Sequence, residues 1–211
     1  MSNSNETAIA EKLLQVGAVK LNVNNPFTWA SGWKSPIYCD NRKILSYPYI
    51  RDFIKSEMSN LIFENYPEAE MVAGVATAGI AWSALAADQL KLPMIYVRTT
   101  AKDHGLGNQI EGAFDEGKRV VVIEDLISTG KSSMEVVNIL RKNGLIVESI
   151  VSIFNYGYET AVNLFKENGV DFKSLTNYNV LIKLALEKGI VPASTEDTLN
   201  KWRENPAAWE G

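Results

Sequence analysis

The chain is poor in the residues that build covalent and metal frameworks: among 211 residues there is one cysteine, Cys39, and one histidine, His104. A single thiol excludes an internal disulfide framework, and one imidazole beside it leaves no zinc cluster of the usual Cys/His kind. An excess of one charge is missing too, with 21 basic against 25 acidic residues and a formal charge of -4. No general attraction to a nucleic-acid backbone or an anionic membrane follows, so any phosphate binding has to be local. No apolar run approaches the ~20 residues that span a bilayer. The opening MSNSNETAIAEKLLQV places acids ahead of any base and lacks the apolar core of a secretion signal. These absences predict a reduced, cytoplasmic protein with neither a membrane nor a nucleic acid as partner. Internal repeats and low-complexity tracts are also lacking.

What is present is globular material, 46% hydrophobic and 22% charged, in a length that favours one domain over residues 1–211. Apolar residues at helical spacing predict a helix over 7–16, followed by a short strand over 18–23. The next segment, NPFTWASGWKSPIYCDNRKILSYP, is aromatic, turn-rich and aperiodic, and predicts a hood within an N-terminal subregion of about residues 1–45. Ile50, Phe53, Ile54, Met58, Leu61 and Ile62 recur at three- and four-residue steps, the stripe of an amphipathic helix over 49–66. An alternating order begins there: strand 71–75, helix 80–90, strands 94–97 and 120–123, helix 132–143, strand 147–154, a strand near 172–176, and helices 178–186 and 194–203. Continuous apolar strands alternating with helices predict an α/β fold, a mainly parallel sheet flanked by helices, with ligands at the carboxyl ends of the strands.

The stretch VVVIEDLISTGKSS, residues 120–133, ends like a nucleoside-triphosphate P-loop. That pattern needs a glycine five residues before Gly130, and Asp125 stands there, where an acid would repel the phosphate. Four β-branched residues form a strand, so Glu124 and Asp125 emerge at its carboxyl end. Alternation along a strand predicts that the two carboxylates diverge instead of sharing a proton. Beyond them Ser128, Thr129 and Gly130 open a helix whose first N–H groups lack internal partners, a cradle for an anion. The layout suits a ligand with a phosphate at one end and hydroxyls beside it, such as a ribose 5-phosphate. The same residues also read as an N-cap after two solvated acids, with Lys131 a solvated first-turn lysine.

More than twenty residues separate strands 94–97 and 120–123, longer than a compact domain leaves without purpose. The connection holds Arg98, Lys102, Asp103 and His104 beside Gly105 and Gly107, the composition of a lid over an anionic ligand or of a solvated hairpin. The turn Ala76-Thr77-Ala78-Gly79 follows another strand and opens another helix. Its amides suit a diphosphate, and equally an ordinary strand-to-helix turn.

IEDLISTGKSS resembles the phosphoribosyl-diphosphate signature of type I phosphoribosyltransferases. VRTTAKDHGLGNQIEG (97–112) and NPFTWASGWKSPIYCDNR (25–42) resemble orotate phosphoribosyltransferases, as do GVATAGI and the Trp-rich tail, so the similarity spans nearly the whole chain. The resemblance implies the type I phosphoribosyltransferase fold and Mg²⁺-dependent transfer of phosphoribosyl from 5-phosphoribosyl 1-diphosphate to orotate. The products would be orotidine 5′-monophosphate and pyrophosphate, in de novo pyrimidine (UMP) biosynthesis. It implies that Glu124 and Asp125 hold the ribose hydroxyls, that Leu126 belongs to the same signature, and that Ile127, Ser128, Thr129, Gly130, Lys131 and Ser132 wrap the 5′-phosphate. Arg98, Lys102 and His104 would meet the diphosphate, with Lys102, His104 and Asp125 the residues tied to catalysis. The metal would be held through the substrate's diphosphate and ribose hydroxyls, with Asp125 as the candidate protein contact. The lid would close over a neighbouring subunit's site, so a homodimer is implied.

Orotate would meet Ser128. A flat, carboxylate-bearing ring calls for an apolar wall and one or two cations, for which Tyr38 and then Lys34 or Arg42 are candidates, although lysine and arginine are most often surface charges. Some branches of the family carry lysine where this chain has Ala30, Ala78 and Thr99, and arginine where it has Tyr156. The base is therefore the feature most exposed to branch variation. The alternatives are transfer to another nucleobase and a non-catalytic sensor of phosphoribosyl diphosphate.

Overall fold

A computed structural model describes residues 4–29, 31–99 and 109–209. Six strands form the central sheet: β5 (Met71–Val75), β6 (Met94–Val97), β7 (Ile110–Glu111), β8 (Arg119–Ile127), β9 (Ile146–Asn155) and β10 (Asp171–Asn177). Their spatial order is β10-β9-β8-β5-β6-β7. All pairings are parallel except β6 with β7, which form a hairpin in which Val97 faces Ile110. The fold is thus α/β with a mostly parallel sheet flanked by helices.

The β-branched run of β8 explains its central place. Val120 and Val122 point into one core with Met134, Val137 and Leu140 of helix α4 (Lys131–Lys142) and Phe165 of helix α5 (Glu159–Glu167). Val121 and Ile123 point into the other, with Ile54 and Met58 of helix α2 (Pro48–Asn65) and Trp82 and Ala86 of helix α3 (Ala78–Leu90). All four are fully buried, which is what alternation gives in a strand covered on both faces. At ~25 cal/mol per Å² of apolar surface, these two layers supply the main drive for folding.

Helix α1 (Ser4–Gln15) buries Ile9, Ala10 and Leu13 against β10 and helix α6 (Tyr178–Glu187). Within the first 45 residues the hood proper is therefore two small antiparallel ribbons. Strand β1 (Val19–Leu21) pairs with β4 (Ile37–Cys39), and β2 (Phe27–Thr28) pairs with β3 (Lys34–Ser35). A 3-10 turn, Asn41–Ser46, leads into α2. Helix α7 (Glu196–Glu204) closes the chain against the hood: Trp202 is fully buried and its Nε1–H donates to the Lys34 carbonyl at 3.2 Å.

Two of the differences from the sequence expectation bear on the strand ends that carry the site. Strand β8 continues four residues past Ile123, because β9 runs alongside it and pairs Glu124 with Ser152, Leu126 with Phe154 and Ile127 with Asn155. Helix α5 occupies a stretch to which the spacing analysis assigned no element. Its buried positions, Ala161 and Phe165, have helical spacing, but nine residues hold too few turns to display it.

Candidate active site

The carboxyl end of β8 carries the acid pair. Glu124 is 6% exposed, and its Oε1 accepts the backbone N–H of Asp125 at 2.9 Å. The two carboxyl groups also interact electrostatically, and the Ser133 hydroxyl interacts with Glu124 from the first turn of α4. This corrects the expectation that the side chains diverge. The two methylenes of Glu124 let it turn back over the following residue, and Glu124 is buried while Asp125 stays partly exposed. Burial first, and then the charge of Asp125, push the Glu124 carboxyl well above the ordinary carboxylate range. Burial also raises Asp125, opposed by its interaction with Glu124 and by the nearby Arg42 guanidinium. The two titrate as one unit in which Glu124 is the stronger proton holder.

Past the acids, Leu126 and Ile127 still belong to the strand, and the Ile127 side chain is buried. The turn itself is Ser128, Thr129 and Gly130. Gly130 has φ 76°, a left-handed conformation open to glycine, and it caps α4. Lys131 and Ser132 stand exposed on the helix's first turn, whose leading amides face the turn without helical acceptors. A turn whose leading amides are open to an anion therefore lies directly beyond the acid pair.

Helix α3 brings a second turn to the same end of the sheet. Residues 76 and 77 link β5 to α3, and Gly79 lies against the carbonyl of Ile123, one residue before the acids. Arg98 follows β6 at the base of the β6–β7 hairpin. Its backbone N–H donates to Gln109 O at 2.8 Å, and its guanidinium lies over the Tyr96 ring and 4.0 Å from Glu111. Thr99 O accepts from Gln109 Nε2 at 2.9 Å. Lys102 and His104 lie outside the described residues, as does Ala30.

The hood supplies the remaining predicted residues. Tyr38 is 37% exposed and its ring is 5.7 Å from that of Phe27. Arg42 Nε donates to Asp40 at 2.7 Å while its charge also reaches Asp125. Lys34 Nζ donates to Thr28 Oγ1 at 3.0 Å across the β2–β3 ribbon. Tyr156 is 1% exposed and stacks on Tyr158 at 5.4 Å. Trp29 and Trp202 pack against it at 5.3 and 5.8 Å. An aromatic cluster thus fills the volume that a charged side chain would need to have solvated.

Spacing alone did not single out three residues at this end of the sheet. Ser133 contacts Glu124, and Asn41, fully buried, donates from Nδ2 to the Asp125 carbonyl at 2.7 Å. Arg203 shares with Thr129, Lys131, Trp33, Tyr158 and Pro206 the wall of a cavity of about 650 Å³ beside the phosphate turn. Asn41 and Arg203 depend on contacts between segments far apart in sequence, which no periodicity encodes, while Ser133 lies nine residues from Glu124 within the stretch 120–133 itself.

A donor-lined turn after a buried and a half-buried acid, at the carboxyl end of a mostly parallel sheet, is the arrangement of a phosphoribosyl-binding protein. The phosphoribosyl transferase domain family matches residues 44–174. The orotate phosphoribosyltransferase of Phocaeicola vulgatus is 50% identical over 205 residues, 97% of this chain and 97% of that one. The crystal structure of orotate phosphoribosyltransferase from Aeropyrum pernix overlays with a TM-score of 0.75 at 30% identity, covering 87% of this chain and 99% of that one. UMP synthase of Leishmania donovani overlays with a TM-score of 0.78 at 27% identity, over 94% of this chain and 42% of the larger one. The chain belongs to the orotate phosphoribosyltransferase family.

Proposed function

We propose that the chain transfers phosphoribosyl from 5-phosphoribosyl 1-diphosphate to a ring nitrogen of orotate, giving orotidine 5′-monophosphate and pyrophosphate for pyrimidine biosynthesis. The observation that carries the reading is the Glu124–Asp125 pair, Glu124 buried, with Asp125 set five residues before the left-handed Gly130 that opens α4. The first amides of α4 and the Ser128 and Thr129 hydroxyls hold the 5′-phosphate. The acid pair accepts hydrogen bonds from the ribose hydroxyls, and those donors take the place of the proton the pair otherwise keeps.

Breaking the bond at the anomeric carbon leaves positive charge on the sugar and negative charge on the departing diphosphate. Carboxylates fixed beside the sugar and donors aimed at the diphosphate stabilise that separation. Arg98 at the hairpin base and the amides of the 76–79 turn serve the diphosphate, with Lys102 and His104 completing the set. Tyr38 gives the orotate ring a wall, and Ser128 and Arg42 bind its polar edge. Lys34, engaged with Thr28, is the more remote of the two cations.

The acid pair is a hard oxygen donor set of the kind that suits Mg²⁺, so Asp125 would be the candidate protein contact for an ion carried in with the substrate's diphosphate and ribose hydroxyls. Such an ion supplies charge neutralisation of the leaving group. The β6–β7 hairpin is the stem of a lid that excludes water from the cationic sugar, and it acts across a homodimer. The reading also fits a cytoplasmic enzyme, and no helix among the described residues is long and apolar enough to cross a membrane.

The test is a panel of orotate, uracil, adenine, guanine and hypoxanthine, each assayed with phosphoribosyl diphosphate with and without Mg²⁺. Turnover of orotate alone, and with Mg²⁺ alone, is the expected result. Turnover of a purine without orotate would reject the base assignment, and ligand binding without any turnover would mark the chain as a sensor.

A further inference from the structure

The hood and the acid-bearing strand are separate segments, and their relative position sets where a base on Tyr38 lies with respect to a ribose on Glu124 and Asp125. Strand β5 ends at Val75, and its last rung with β8 joins Gly74 to Ile123. Beyond that rung, the edge of β8 that faced β5 has lost its ladder, and a buried carbonyl there needs a donor from elsewhere. Asn41 supplies it. The residue is 0% exposed, stands at the start of the 3-10 turn, and donates from Nδ2 to the Asp125 carbonyl at 2.7 Å across 84 positions of sequence. Its other end is occupied as well, since the Cys39 thiol donates to Asn41 Oδ1 at 3.4 Å.

Cys39 is the last residue of β4 and follows Tyr38 directly. One amide therefore joins the strand that carries the base wall to the backbone of a ribose acid. Among the described residues no other hydrogen bond joins the hood to the end of β8. The residue type matters, because an amide can donate to Asp125 and accept from Cys39 at once. A carboxylate in its place would present only acceptors to a carbonyl and add charge beside Asp40 and Asp125. An apolar side chain would leave the Asp125 carbonyl unsatisfied.

We infer that Asn41 is a positioning residue for glycosyl transfer, a clamp that fixes the hood's base wall relative to the ribose acids. It rests on the functional reading given above. Its absence would let base and ribose lose register while the 5′-phosphate turn, built by β8 and α4, keeps its grip. The loss should therefore fall on turnover and on orotate, and little on the sugar phosphate.

The experiment compares the parent with N41L, with the isosteric N41D, and with S149A as a control. Ser149 is buried in a separate network with Tyr66 and Asp171 at the amino-terminal part of β9, away from the site. Steady-state kinetics should show kcat/KM for orotate reduced at least tenfold in N41L and in N41D, with ribose 5-phosphate affinity within threefold of the parent. S149A should lose thermal stability without that split. Hydrogen exchange over residues 27–46, read by mass spectrometry, should accelerate in both Asn41 variants and not in S149A. This readout needs no turnover, so it stands even if the base panel rejects orotate, and N41D is read alone if N41L fails to fold. Kinetics within twofold of the parent, losses matching those of S149A, or unchanged exchange in the hood would each overturn the clamp.

Discussion

Gly79, in the first turn of α3, lies so close to Ile123 of β8 that a β-carbon on it would sit 2.4 Å from the Ile123 carbonyl oxygen. The obstacle is backbone, which cannot rotate aside as a side chain can. Helix α3 therefore reaches the acid-bearing strand only because this position has no side chain. Gly79→Ala should force the helix start away from β8, at a cost in the overpacking range of ~1–3 kcal/mol. It should also reduce turnover more than it reduces stability, since the displaced turn is the one assigned to the diphosphate. Urea denaturation and steady-state kinetics on the same preparation check both. A variant as active and as stable as the parent would remove Gly79 from the account.

Gly130 is constrained in two ways at once. Its φ of 76° is costly for any residue with a β-carbon, and that carbon would lie 2.7 Å from Cζ of Phe165 on α5. Gly130→Ala should lose ~1–2 kcal/mol from the backbone conformation alone, and the phosphate turn should lose its shape. Adding Phe165→Leu removes the ring but not the backbone penalty. The double variant should then regain part of the stability of G130A and little of its affinity for ribose 5-phosphate. Full recovery of both would show that the ring contact, and not the left-handed backbone, defines the turn.

The aromatic cluster under the hood makes the chain's end part of the site's support. Trp202 is fully buried, packs at 5.5 Å on Tyr178 and 5.8 Å on Tyr156, and bonds the Lys34 carbonyl. Trp202→Ala should cost ~3–5 kcal/mol, as large-to-small changes in cores do. Trp202→Phe keeps most of the packing but loses the N–H donor, and should cost ~1 kcal/mol or somewhat more. Thermal unfolding of the two variants measures the difference, and a Trp202→Phe loss equal to that of the alanine would assign the effect to the hydrogen bond instead of the packing.

The parts of this architecture written in local pattern were legible from the chain alone. The Val120–Ile123 run announces a strand buried on both faces, the spacing from Ile50 to Ile62 announces α2, and the acids followed by Ser-Thr-Gly announce the turn from β8 into α4. What was not legible depends on partners distant in sequence. The end of β8 is set by β9, not by its own residues. Glu124 meets Asp125 because burial leaves it no water to reach, which alternation does not consider. Asn41 stands in an aperiodic segment, and nothing near it marks the carbonyl 84 positions away as its acceptor. Tyr156 could be seen as a departure from its relatives, but the tryptophans that enclose it come from both ends of the chain.

The acid pair makes a prediction about protons. Glu124 and Asp125 both titrate above ordinary carboxylates in the ligand-free protein, with burial as the leading cause. A raised native pKa means that the folded protein keeps a proton the unfolded chain has given up. The pair's contribution to stability is fully present below the unfolded value of ~4 and is lost as pH rises through the native value. Glu124→Gln keeps the shape and removes the titration. It should therefore be more stable than the parent at neutral pH, with the advantage shrinking as pH falls toward 4, and denaturation at several pH values would show the two curves converge. Ribose hydroxyls donating to the pair favour its charged form, so binding ribose 5-phosphate near pH 6 should release protons. The ligand's phosphate has its own second pKa of ~6, so calorimetric titration in two buffers of different ionisation enthalpy is run on the parent and on Glu124→Gln, and the difference between them reads the pair's release. Heats whose buffer dependence is the same in both proteins, together with parallel stability curves, would mean that the pair holds no exchangeable proton and that the sugar is gripped by other groups.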